Sequence, residues 1–250
     1  MSEPAAVAIR RVEPVMGTVV SFSARATPDL EASVRAAVER AVAWLHEVDD
    51  RFTTYRDSEW LRWCRGEVDL DRAHPDLRHV VSTTQALEHS TDGAFSITAD
   101  PSRPPDAAAY VKGWAVQRAS DIVVTGGAAA ACTNGGGDVV VAGGDRPWRI
   151  GITDPHRTDR LKGVIELAHG AVATSGSYER GEHIYRPADH RPATELASVS
   201  VIGPDLGLAD AYSTAAFALG DAALDWLAGL DGYSSYVVRA DGSTGSTACA

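Results

Sequence analysis

Apolar positions recur along this chain at two alternating spacings, strand-like and helix-like. Val15 to Phe22 reads as a first strand, with Met16-Gly17-Thr18 inside it. Thr27-Pro28-Asp29 carries the marks of a helix start: a capping hydroxyl, a proline at the first helical position and an acid in the first turn. Val34, Val38, Ala41, Val42, Leu45 and Val48 follow at helical spacing, which predicts a helix to about Val48. Residues 51–66 read as a loop with a short turn. Leu77, Val80, Val81, Thr84 and Leu87 mark a second helix, ended by Asp92-Gly93. The proline-rich stretch from Asp100 to Asp106 is a loop, and Lys112 to Val124 a third helix, stopped by Gly126-Gly127.

Short strands are expected next at Ala130 to Thr133, Val139 to Ala142, Trp148 to Ile152, Val164 to Ala168, Ala171 to Thr174 and Ser198 to Ile202. Leu208 to Leu219 reads as a helix, with another following through Leu230. Ser235 to Arg239 is a last strand, Asp241-Gly242 a turn, and the Ser/Thr/Gly tail beyond it a loose end. Helices alternating with runs of adjacent strands predict an α+β fold, with mixed β-sheets packed by helices. No internal repeat or low-complexity linker divides the chain, so residues 1–250 are expected to form a single domain.

The composition fits a folded globular protein. The 250 residues are 44% hydrophobic and 23% charged. The net charge of -11 disfavours nucleic acid and anionic lipid as partners, since both need a basic surface. A phosphate-bearing small molecule remains compatible, held by backbone N–H groups and a divalent metal. Cys64, Cys132 and Cys249 are odd in number and far apart, with no C-x-x-C, which excludes a disulfide scaffold and a structural zinc site and suits a reducing compartment. No apolar run approaches the length of a transmembrane helix, and Met1-Ser2-Glu3-Pro4 lacks the marks of a secretory signal. The expectation is a cytoplasmic protein without membrane insertion.

Five segments carry candidate chemistry, each with a structural alternative. Asn134-Gly135-Gly136-Gly137-Asp138 lies between two strands; its glycines permit either close backbone approach to a ligand or a tight hairpin turn. Asp210 and Thr214 stand four apart at a helix start and share one face, as two hard oxygen ligands for Mg²⁺ or Ca²⁺ or as an acid in the first turn with a small polar residue behind it. His183 lies in a polar, glycine-punctuated loop, as a general base or a surface residue. Lys112, expected at a helix N-terminus, opposes the macrodipole, which suggests a phosphate partner; the alternative is a solvated lysine. Tyr55 and Trp60 either stack on a flat ring or pack in the core.

The order and spacing of these segments resemble the ApbE family of FAD:protein FMN transferases. Met16-Gly17-Thr18 is similar to its Met-Gly-Thr element, and Thr54-Tyr55 through Ser58-Glu59 to its Ser/Thr-Tyr…Ser-Glu segment. Gly93-Ala94-Phe95 is similar to Gly-x-Phe-Asp, and Asp106 through Val116 to Asp-x-x-x-x-x-Lys-Gly-Tyr-Ala-Val, with Trp114 for Tyr. Asn134 to Asp138 resembles Asn-x-Gly-Gly-Asp, Ser175 to Ile184 resembles Ser-Gly-x-Tyr-Glu-Arg…His-Ile, and Ala209 to Thr214 resembles Ala-Asp-Ala-x-x-Thr. The resemblance covers about residues 12–240 and leaves 241–250 outside.

The resemblance implies transfer of FMN from the substrate FAD to a Ser or Thr hydroxyl of an acceptor protein, with Mg²⁺ as cofactor and AMP as the other product. It implies His183 as catalytic residue. It implies Met16, Tyr55, Ala94, Phe95, Ser96, Asp106, Lys112 and Tyr185 as FAD-pocket residues, and Asp210, Thr214 and the carbonyl of Ala109 as Mg²⁺ ligands. Three departures surround these positions: Ser96 replaces an acid, Glu182 precedes His183 where the family has a second histidine, and Arg186-Pro187-Ala188-Asp189-His190 stands for Asp-Pro-x-Thr-Gly. With water as acceptor the same site would be an FAD pyrophosphatase. A non-catalytic FAD-binding protein of the same fold is the alternative outside the enzyme class.

Overall fold

The computed structural model describes residues 6–176, 184–186 and 191–248. Its strands are β1 (Val7–Val15), β2 (Thr18–Ala26), β3 (Ala130–Gly135), β4 (Asp138–Gly143), β5 (Trp148–Asp154), β6 (Arg157–Leu167), β7 (Gly170–Gly176), β8 (Leu196–Gly203), β9 (Ser234–Arg239) and β10 (Thr244–Thr247). Eight of them form one sheet in the order β1-β2-β3-β4-β7-β8-β9-β10, and β5 with β6 forms a separate hairpin. Every pairing is antiparallel. The helices are α1 (Glu31–Phe52), α2 (Glu59–Cys64), α3 (Pro75–Ser90), α4 (Ala108–Thr125), α5 (Leu206–Leu219) and α6 (Ala223–Leu227). This is the expected α+β class, with α1 to α4 all inserted between β2 and β3.

Sequence explains where each helix lies. In α1 the apolar stripe Val34, Val38, Ala41, Val42, Leu45 and Val48 is buried, and the polar face is not. In α5 burial runs on through Ala209, Asp210 and Ala211 and again through Ala215, Ala216, Phe217 and Ala218. A helix apolar nearly all round belongs in the interior, and α5 lies against α4 and the inner face of the sheet. The β5–β6 hairpin covers part of the opposite face, where Ile150 and Ile152 pack on Val139, Val141 and Val172.

Several boundaries differ from the sequence reading for identifiable reasons. The first strand is two strands: β1 and β2 pair through a two-residue turn in which Met16 (φ 57°) and Gly17 (φ 67°) are both left-handed, the geometry that matches strand twist. Thr27-Pro28-Asp29 forms a turn ahead of α1, with the Leu30 N–H bonded to the Thr27 carbonyl at 3.0 Å, and α1 runs on to Phe52. The loop over 51–66 contains α2, capped by Ser58, whose Oγ accepts the Leu61 N–H at 3.2 Å. Helix α4 begins at Ala108, so Lys112 sits in its second turn; Asp106 Oδ1 accepts the Ala108 N–H at 2.8 Å and starts the helix there. Part of the tail expected to be loose is β10, paired to β9.

Candidate functional site

Two hairpin tips meet at one end of the large sheet. The turn between β3 and β4 places Gly136 (φ 62°) and Gly137 (φ 100°) at its corner, so the glycine-rich segment is a hairpin turn. The Asn134 side chain accepts the Gly137 N–H at 2.9 Å. The Gly136 N–H bonds to the Val19 carbonyl at 3.2 Å, and a Cβ at this position would crowd the Thr18 hydroxyl. The Met16-Gly17 turn is thereby fixed beside the glycine turn.

Behind these tips lies a buried charge cluster. Asp138, the first residue of β4, is 1% exposed. Its Oδ1 accepts the Thr174 N–H of β7 at 3.0 Å, and its Oδ2 contacts the Lys112 ammonium of α4. The same ammonium stands 3.5 Å from Oδ1 of Asp210 on α5. The other Asp210 oxygen accepts the Gly113 N–H at 3.2 Å. Helix geometry aims that N–H at the Ala109 carbonyl, so the Asp210 carboxylate and the Ala109 carbonyl converge on one donor. Thr214 lies one turn beyond Asp210. Its hydroxyl is 3.2 Å from Ser175 Oγ of β7, which is also 2.8 Å from Ser213 Oγ. Ser213 donates to the Asp210 carbonyl at 2.9 Å.

Close packing makes this possible. A Cβ on Gly113 would meet the Leu206 carbonyl, so glycine lets α4 and α5 approach until a main-chain N–H reaches a carboxylate. Burial drives the Asp210 carboxyl above the ordinary carboxylate range; Lys112 pulls it back and the Asp138 charge adds to the rise. Among the described residues, two buried carboxylates face one ammonium. These carboxyl groups, with a hydroxyl and a carbonyl alongside, offer the hard oxygen donors that a divalent cation takes. Among the described residues no group of three or more His, Cys, Asp or Glu side chains could hold a metal. One or two carboxylates with the rest of the shell left to water and phosphate oxygens is an arrangement that Mg²⁺ accepts.

The structure brings Lys112, Ala109, Asp210 and Thr214 together and sets Met16 at the neighbouring hairpin tip. Asp106 is exposed at the start of α4. Ala94 and Phe95 are sealed in the core, 5% and 2% exposed, while Ser96 donates to Glu88 Oε1 at 2.5 Å. Tyr185 bridges to Pro192, and its side chain bonds to Asp100, whose carboxyl is held low mainly by Ser102. Tyr55 and Trp60 divide: Tyr55 is 94% exposed, whereas Trp60 is fully buried against Phe52 and Trp63. His183 lies outside the described residues, as do Glu182 and Asp189. Arg186 pairs with Glu195 at 2.8 Å.

Asp138, Ser175, Ser213 and Gly113 had no assigned role in the sequence reading. Asp138 and Gly113 lay inside quoted motifs, but a motif does not reveal which side chain meets which.

A family model described as the ApbE family matches residues 16–103 and 106–237. The chain belongs to the ApbE family. An FAD:protein FMN transferase of Rhodobacter capsulatus is 36% identical over 140 residues, 52% of this chain and 26% of that protein. One of Treponema pallidum is 40% identical over 83 residues, 29% of this chain and 23% of that protein. The chain thus spans about a quarter of the length of these curated relatives. The fold matches a flavin transferase ApbE from Vibrio cholerae with a TM-score of 0.82 at 22% identity, covering 98% of both chains. It matches an ApbE protein from Thermotoga maritima with a TM-score of 0.78 at 23% identity, covering 96% of this chain and 97% of that one. The buried cluster falls within the matched segments. Among the described residues, no helix is long and apolar enough to cross a membrane.

Proposed function

We propose that this protein transfers FMN from FAD to a Ser or Thr hydroxyl of an acceptor protein and releases AMP, with Mg²⁺ as cofactor. The observation that carries this reading is the buried Asp210, with Thr214 one turn on, facing Lys112 beside the glycine turn. In this reading Asp210, Thr214 and the Ala109 carbonyl hold the metal. Bound there, Mg²⁺ supplies positive charge to the pyrophosphate and to the charge that develops at phosphorus.

The remaining steps belong to the chain itself. In this reading Met16, Tyr55, Ser96, Asp106, Lys112 and Tyr185 form the FAD pocket, and Ala94 and Phe95, whose side chains are buried, contribute through their main chain only. His183 takes the proton from the acceptor hydroxyl. That oxygen bonds to the FMN phosphorus as the anhydride bond to AMP breaks.

The test is incubation with FAD, Mg²⁺ and candidate acceptor proteins. The expected result is an acceptor heavier by one FMN unit, with AMP formed alongside. Tight FAD binding with no AMP under any condition overturns the reading. AMP and FMN formed without any acceptor make the protein an FAD pyrophosphatase instead.

A further inference from the structure

Lys112 and Asp210 are neighbours whatever their side chains do, because the Gly113 N–H next to Lys112 binds the Asp210 carboxylate. The ammonium contacts Asp138 and stands 3.5 Å from Asp210, so the two carboxylates share it and Asp138 holds the nearer contact. Asp138 itself has little freedom: it is 1% exposed, and its other oxygen is fixed by the Thr174 N–H.

We propose that Asp138 is a positioning residue that draws the Lys112 ammonium away from Asp210 and so keeps the Asp210 carboxylate open to a divalent cation. A lysine fully paired with Asp210 would cancel the charge that attracts the metal. Asp138 gives that lysine another buried partner. Its grip on Thr174 also fixes β7 where Ser175 meets the Thr214 hydroxyl, so one carboxylate sets both sides of the cation site. This inference rests on Asp210 being a metal ligand in the proposed function.

The test uses Mn²⁺ as an EPR-visible probe, titrated into the full chain with and without FAD. Asp138→Asn keeps an acceptor for the Thr174 N–H and removes the charge that holds Lys112. It is expected to weaken Mn²⁺ binding about tenfold, the lower end for loss of a residue that supports a metal ligand. Asp138→Asn combined with Lys112→Gln removes the competing ammonium and is expected to bring affinity back to within about threefold of wild type, a coupling a merely structural role would not produce. Wild-type affinity in Asp138→Asn overturns the proposal, as does a double variant no tighter than the single one. Thermal melts in EDTA report folding. If Asp138→Asn does not fold, Lys112→Gln alone decides: tighter Mn²⁺ binding than wild type is expected, and equal or weaker binding overturns the proposal. Wild-type protein that binds no Mn²⁺ would instead sink the proposed function, whereas wild-type binding with no effect of Asp138→Asn sinks only the role of Asp138.

Discussion

The Gly113 N–H donates to Asp210 Oδ2 at 3.2 Å across the seam between α4 and α5. This main-chain contact to a buried carboxylate exists because Gly113 has no side chain. A Cβ there would stand 2.9 Å from the Leu206 carbonyl carbon and 3.0 Å from Asp210 Cβ. Gly113→Ala is therefore expected to lose about 1–3 kcal/mol by forcing the helices apart. Urea denaturation measures it, and an unchanged midpoint would contradict the close approach.

Asp210 is buried at an electrostatic cost. Asp210→Asn keeps the shape and leaves Lys112 its contact with Asp138. Metal-free protein carrying this change is expected to be as stable as wild type or more stable, by up to about 2 kcal/mol. On the proposed metal site, Mg²⁺ is expected to raise the melting temperature of the wild type and not that of this variant. Melts in EDTA and in Mg²⁺ measure both, and a retained Mg²⁺ shift would remove Asp210 from the metal site.

Met16 holds a left-handed backbone conformation with φ 57°. Met16→Gly is expected to match or exceed wild-type stability, within about 1 kcal/mol, because glycine adopts this conformation without strain. Met16→Val, with a β-branched side chain, is expected to lose about 1–2 kcal/mol. If the Met16 side chain touches FAD, Met16→Gly weakens FAD binding in a stable fold. Flavin fluorescence titration of the glycine variant separates the two contributions.

Ser175 places a hydroxyl 3.2 Å from Thr214 Oγ1 and 2.8 Å from Ser213 Oγ. Ser175→Ala frees the Thr214 side chain to turn. The expected outcome is a fall of about 10–100-fold in AMP release at limiting Mg²⁺, partly recovered at high Mg²⁺. A steady-state series in Mg²⁺ shows this, and an unchanged Mg²⁺ requirement would sink the orienting role.

His183→Ala is expected to reduce AMP formation by about 10²–10⁴-fold while FAD affinity is kept, as for loss of a general base. Rate and flavin binding measured on one preparation distinguish a lost base from a lost pocket. Normal turnover would leave the proton to another group.

Helices α1 and α3 were legible because their burial follows the apolar period in the sequence, and α5 because its run is apolar nearly all round. The Met16-Gly17 turn was hidden because the residues on either side of it read as one strand, and Met is an uncommon choice for a left-handed position. The start of α4 was hidden because Asp106 begins the helix through a side chain reaching two residues ahead. The shared helix face of Asp210 and Thr214 was legible because their spacing is local. The contacts of Asp138 were not, because its partners Lys112 and Thr174 lie 26 and 36 positions away and meet it only once α4 packs on the sheet and β7 lies beside β4.

That separation has a consequence for how the protein matures. Gly113 and Asp210 are 97 positions apart, and the cluster draws on α4, β4, β7 and α5. Contacts this distant in sequence form late, after the loop-closure entropy has been met. A chain that has folded only as far as β4 has Lys112 and Asp138 but no Asp210. If Asp210 holds a divalent cation as proposed, retention of that cation would serve as a readout of complete folding, since nascent or truncated chains ending before α5 lack this carboxylate.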